Sequence, residues 1–291
     1  MSTAEGNGDK RLSDLSLGRP PRALLLSDRA FTTALIAICA TYVLLILAML
    51  AGDVAYMMKE DAGPDARNPI LYALGEPEIQ NSIILSMISC TLSAILAVWF
   101  AVPIGYLLAR TRFRGMALVD AILDIPVVLP PLVIGLSLLI LFQFWPFSTF
   151  ATAVVYQVPA VIVAQSAVAI AFAIRVMKAT FDQIDARREQ VALTLGCTRF
   201  QAFMRVVLPE ALPGVLTAWT LAWARSLGEF GPLLIFAGAT RNKTEVLSTT
   251  VFLELSIGNL GAAVAVSLIM VFAAVVVLVI ARAWGRPTGM I

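Results

Sequence analysis

The sequence predicts an all-α polytopic membrane protein with six transmembrane helices. Three observations carry that expectation. Of 291 residues, 59% are apolar and 14% charged, with a mean hydropathy of +0.88, whereas a soluble domain carries about a quarter charged residues. Six apolar runs reach the length of about 20 residues that a bilayer demands. Threaded alternately through a membrane, those runs leave sixteen of the 21 Lys and Arg on one side.

Residues 1–29, polar and basic at Lys10, Arg11, Arg19, Arg22 and Arg29, read as a disordered cytoplasmic tail. The first span, 31–51, exceeds the apolar stretch of about 7 to 15 residues of a cleavable signal peptide and is read as retained. The loop 52–80 is acidic and broken by Gly63, Pro64 and Pro77, so it is solvated surface. The second span, 83–108, follows Ser82 and places Ser86, Ser89, Ser93 and Ala97 along one stripe, a spacing suited to close helix packing. The third, 125–144, contains Pro126, Pro130 and Pro131. These prolines either distort the helix and line a cavity or mark where it starts. The fourth, fifth and sixth spans are 153–174, 212–237 and 261–280.

Lys and Arg gather on the cytoplasmic side of short loops. With both termini inside, the outer loops keep only Lys59, Arg67, Arg241 and Lys243, and Arg225 lies within the fifth span. The net charge of +2 offers nothing to nucleic acid. There is no histidine, and Cys39, Cys90 and Cys197 are far apart; neither a metal centre nor a disulfide framework is expected. No lysine follows a glycine, so the core of a phosphate-binding P-loop is absent, and no GxSxG occurs. The chain is not expected to be an enzyme.

The cytoplasmic loop 178–211 is long enough to fold. Asp182 or Asp185 caps a helix running through Arg187 to Leu195, with Val191, Ala192 and Leu195 on one face, and Gly196 stops it. A second amphipathic helix from Arg199 to Val207 is expected to end at Pro209. Leu193, Leu195, Phe200, Phe203 and Met204 are too many apolar residues for a solvated connector. Some must dock on the chain's own spans or on a partner.

Arg225 and Glu229 stand four apart on one face of the fifth span, near mid-membrane or beyond it. An isolated charge there costs on the order of 3 kcal/mol or more. Two readings stand: a polar path or gate, or a mutually neutralising pair that fixes helix packing.

The run Glu189-Gln190-Val191-Ala192-Leu193-Thr194-Leu195-Gly196, followed after nine residues by Val206-Val207-Leu208-Pro209, resembles the EAA loop of ABC importer permeases. It departs where Gln190 and Val191 replace the usual Glu and first Ala. The segments 124–135 and 224–231 are similar to parts of the permeases for molybdate, tungstate and sulfate or thiosulfate, and the resemblance covers roughly residues 81–280. It implies the type I ABC importer permease fold in the cell (inner) membrane, paired with a second copy around a central path. It also implies an extracytoplasmic substrate-binding protein and a cytoplasmic ABC ATPase dimer as partners. Coupling to that ATPase falls to Glu189, Gln190, Val191, Ala192, Thr194, Leu195, Gly196, Cys197, Arg199, Leu208 and Pro209. Arg225, Gly228, Glu229, Gly231, Pro130 and Pro131 fall at the path or gate. ATP and Mg would be held by the ATPase, with no cofactor on this chain. The cargo implied is an oxyanion; ferric iron, a polyamine or phosphate, and an ion-coupled secondary transporter, remain the alternatives.

Overall fold

The computed structural model describes residues 22–60 and 74–284, all of whose regular elements are helical. The elements are α1 (Arg22–Glu60), α2 (Pro77–Arg110), α3 (Met116–Val128), α4 (Pro131–Leu141), α5 (Val158–Gln183), α6 (Ala186–Thr194), α7 (Arg199–Leu227), α8 (Leu247–Ser256) and α9 (Leu260–Trp284). Five helices are long and apolar enough to cross a membrane; the pair α3–α4, bent by 110°, makes a sixth if counted as one broken span. The expected tail over residues 1–21 and the acidic stretch 61–73 lie outside the described residues.

The chain divides into two compact units after Tyr56. In the first, α1 is already helical at Arg22, nine residues before the expected span, because no Gly or Pro interrupts the chain until Gly52.

In the second unit, α2, α5 and α7 form the packed centre. Ser82, Ser86, Ser89, Cys90, Ser93, Ala94, Ala97 and Ala101 of α2 are buried, as are Ala160, Ala164, Ala169 and Ala173 of α5. Small side chains let the two backbones approach, since lipid supplies no hydrophobic drive for helices to associate. Helix α3 has no buried residue. Arg175 of α5 ties it down, with Nη1 2.7 Å from Asp120 and a second contact to Asp124, and Lys178 Nζ lies 3.3 Å from Asp120.

Several expected boundaries are corrected. The third span is two helices, because a residue that precedes proline is driven out of the α region. Leu129 (ψ 141°) and Pro130 (ψ 133°) are accordingly extended. Helix α5 starts at Val158 with Pro159 in its first turn and continues nine residues past the expected end, with Met177 and Phe181 buried. Pro209 ends nothing. The chain runs as one helix from Arg199 to Leu227, with a π-helical turn over Phe203–Val207 directly before the proline. That wider turn, in which Leu208 N–H reaches Phe203 O, accommodates the ring and the missing donor that would break a regular α-helix. The fifth span stops at Leu227, and a π-helical turn, Leu233–Ala237, follows across Gly228, Gly231 and Pro232. Helix α8 falls between the expected spans.

Candidate functional site

Two regions carry the residues singled out in the sequence. The first is the loop at the end of the bundle where α2 and α5 finish. Asp185 accepts the Arg187 N–H at 2.9 Å and caps α6. Thr198 and Gln201 cap the first turn of α7 reciprocally. Between them Gly196 adopts φ +91°. Its N–H donates to Leu193 O at 3.0 Å and that of Cys197 to Ala192 O at 3.1 Å, the pair of bonds of a Schellman stop. A Cβ on Gly196 would meet nothing within 4 Å, so glycine is required here by backbone conformation, not by a neighbour within the chain.

The elbow presents an apolar knuckle. Leu195 is 80% exposed, Phe200 68% and Val191 56%. Gln190, Thr194, Arg199 and Pro209 are also exposed, while Cys197 and Leu208 are half-buried. Glu189 and Ala192 behave differently. Ala192 is buried, and Glu189 turns inward to accept the Tyr106 hydroxyl at 2.5 Å and to pair with Arg110 at 3.4 Å. Arg110 also donates to Ile184 O at 2.8 Å. Glu189 therefore fastens the loop to the end of α2. Behind it lies a mostly apolar cavity of about 1020 Å³ lined by α2, α6 and α7, including Trp99, Tyr106, Leu193 and Phe203.

The second region is a seam between the two breaks. A Cβ on Gly231 would lie 2.9 Å from Leu132 N and 2.9 Å from Pro131 Cβ; one on Gly135 would lie 2.7 Å from Pro232 Cα. The break at Pro130–Pro131 and the break at Gly228–Pro232 thus press backbone to backbone, closer than any side chain permits. Arg225 and Glu229 sit at the same break, ion-paired, with Glu229 1% exposed. The Arg225 guanidinium also lies 5.5 Å from the centre of the Phe172 ring. Among the described residues, the Ser226 hydroxyl and both Glu229 carboxylate oxygens are buried without a hydrogen bond. Arg225 compensates the Glu229 charge electrostatically, and the remaining cost of such atoms is about 1–3 kcal/mol each.

The structure adds residues that the sequence did not single out. Buried Gln165 of α5 accepts from Ser93 at 3.2 Å and donates to Ser226 O at 3.2 Å, joining three helices. A lone Gln inside an apolar run was the available signal. Likewise Asp120 and Asp124, four apart, faced Arg175 and Lys178, three apart. At the opposite end of the bundle from the elbow, Arg241 pairs with Glu78 of α2 and, at 2.9 Å, with Glu254 of α8. The Glu78 carboxylate raises the Arg241 pKa above the ordinary value. Glu245, buried beside them, has its carboxyl pKa raised by desolvation.

The fold and the seam define a multi-pass membrane protein, one of whose spans is broken in mid-course. Residues 101–286 match the family described as the binding-protein-dependent transport system inner membrane component, and the chain belongs to that family. It is 35% identical over 168 residues to a molybdate/tungstate transport system permease protein of Pyrococcus abyssi, a match spanning 58% of this chain and 64% of that protein. It is 33% identical over 207 residues to a sulfate transport system permease protein of Escherichia coli, spanning 69% of this chain and 75% of that protein. A crystal structure of a bacterial ABC transporter that imports alginate has a chain of the same fold, with a TM-score of 0.71 at 16% identity, covering 91% of this chain and 99% of that one.

Proposed function

We propose that the chain is the membrane subunit of an ATP-driven importer and passes a tetrahedral divalent oxyanion, molybdate, tungstate or sulfate, across the cell membrane. The observation that carries the reading is the elbow: a glycine-stopped helix pair that exposes Leu195, Phe200 and Val191 on a polar loop. An apolar knuckle of that kind calls for a partner groove. The partner is a separate ATPase dimer, which holds the ATP and Mg; this chain binds no cofactor. The Lys and Arg bias supports both termini and the elbow on the cytoplasmic side. A second copy of the chain completes the path, and an external binding protein delivers the cargo.

The oxyanion rests on the likeness to molybdate/tungstate and sulfate permeases. Arg225 is the donor suited to an anion, and its pairing with Glu229 keeps binding weak enough for release. Competition among labelled molybdate, tungstate, sulfate, ferric iron and a polyamine for uptake by the assembled complex tests the cargo. Oxyanion uptake is expected. Uptake of ferric iron or polyamine without any oxyanion rejects it.

A further inference from the structure

We infer that Gln165 and Ser248 are positioning residues that clamp the break after α7 shut, each by hydrogen-bonding a main-chain carbonyl at the break; the inference rests on reading the chain as a permease.

The last carbonyls of a helix have no partner within it. A left-handed glycine after the last turn commonly satisfies them, but Gly228 has φ −84°, so that device is absent here. The Ser226 carbonyl keeps a local bond from the Glu229 N–H at 3.2 Å, and side chains from two other helices add bonds at the break. Gln165 Nε2 of α5 donates to Ser226 O at 3.2 Å, and the Ser248 hydroxyl of α8 donates to Glu229 O at 2.6 Å. Each clamp is anchored to α2, directly at Gln165 and through the adjacent residue at Ser248. Gln165 Oε1 accepts from Ser93 of α2, and the N–H of Leu247, beside Ser248, donates to Ser86 of α2 at 2.8 Å.

Both clamped carbonyls therefore lie within the stretch that carries Arg225, Glu229 and the Gly231 contact with Pro131. They also arrive from elements with different destinations. Helix α5 runs unbroken from the Gln165 position to Gln183, about 27 Å, and leads directly into α6 and the elbow. Helix α8 carries Glu254 in the ion pairs at the opposite end. A shift of α5 relative to α8, started at either end, pulls on one carbonyl and not the other. Loss of one such bond releases the break while leaving the helices themselves intact.

The test needs no cargo. The chain, assembled with its ATPase, is reconstituted into vesicles loaded with iodide, and efflux is followed without ATP. Wild-type vesicles are expected to stay tight. Ser248→Ala and Gln165→Leu are each expected to raise efflux about threefold to tenfold, the population change that one lost hydrogen bond produces. Ser248→Thr, which keeps the hydroxyl, restores tightness. If Gln165→Leu fails to assemble, Ser248→Ala at a half-buried position still decides the matter.

Assembled variants as tight as wild type, even with a lowered melting temperature, would reduce both residues to packing and overturn the clamp. A leaking wild type would overturn the closed seam. Because iodide efflux is independent of the natural substrate, a complex that transports no oxyanion but leaks on Ser248→Ala rejects the cargo and keeps the clamp. One that transports oxyanion with a tight Ser248→Ala variant does the reverse.

Discussion

Replacing Gly196 separates what the elbow does for its own chain from what it does for a partner. At φ +91° with no atom within 4 Å of an added Cβ, alanine and leucine meet the same backbone penalty, about 1–2 kcal/mol for a non-glycine residue in a left-handed conformation. In neither does the added Cβ meet a clash. Gly196→Ala and Gly196→Leu should therefore insert normally and lower the melting temperature of the isolated subunit by the same few degrees. In the assembled complex they should part. The longer leucine side chain extends from the elbow surface proposed to receive the ATPase, and overpacking of that kind costs about 1–3 kcal/mol more, or about fivefold to 150-fold in association. Titration of the purified ATPase against each variant in nanodiscs reads the affinity, and ATP-driven uptake reads the consequence. Equal affinity and equal transport for the alanine and leucine variants would refute the reasoning, since it would mean that nothing docks at the elbow.

Arg225→Ala should strand Glu229 in the membrane and lower complex recovery and thermal stability, whereas Arg225→Ala with Glu229→Gln should recover assembly; full transport by the double variant would remove the pair from the path. Tyr106→Phe and Arg110→Ala each free one side of the Glu189 anchor and should cost about 0.5–3 kcal/mol of stability, measurable as a lower melting temperature with faster proteolysis in residues 184–198. Burial raises the Glu245 carboxyl pKa above its ordinary value of 4.5, so the folded state holds that proton more tightly than the unfolded state. The resulting stabilisation is complete below the ordinary value and is lost as pH rises through the raised one. Glu245→Gln should flatten the acid side of the melting profile and raise stability at neutral pH, and an unchanged profile would contradict the assignment.

The sequence disclosed the elements that depend on local chemistry. Run length and hydropathy predict the apolar spans, and Gly196 after a capped amphipathic run predicts the elbow, because caps and left-handed stops are decided within a few residues. What it hid depends on neighbours distant in the chain. Pro209, Pro213, Pro103 and Pro126 all sit inside helices, while the Pro130–Pro131 pair makes a break, and single prolines cannot announce which will be absorbed by a π-turn. Glu189 belongs to the family-like loop motif, yet it faces Tyr106 and Arg110, residues more than seventy positions away. The stripe of serines on α2 announced close packing. That Ser86 and Ser93 also hold α8 and Gln165 follows from the assembled bundle alone.

The most direct test of the whole account is labelled molybdate uptake into proteoliposomes, measured with and without the ATPase subunit while binding protein is supplied outside and ATP within. The account expects accumulation only when ATPase, ATP and binding protein are all present, and its loss on Gly196→Leu. Accumulation by the chain alone, driven by an ion gradient and indifferent to ATP, would contradict it.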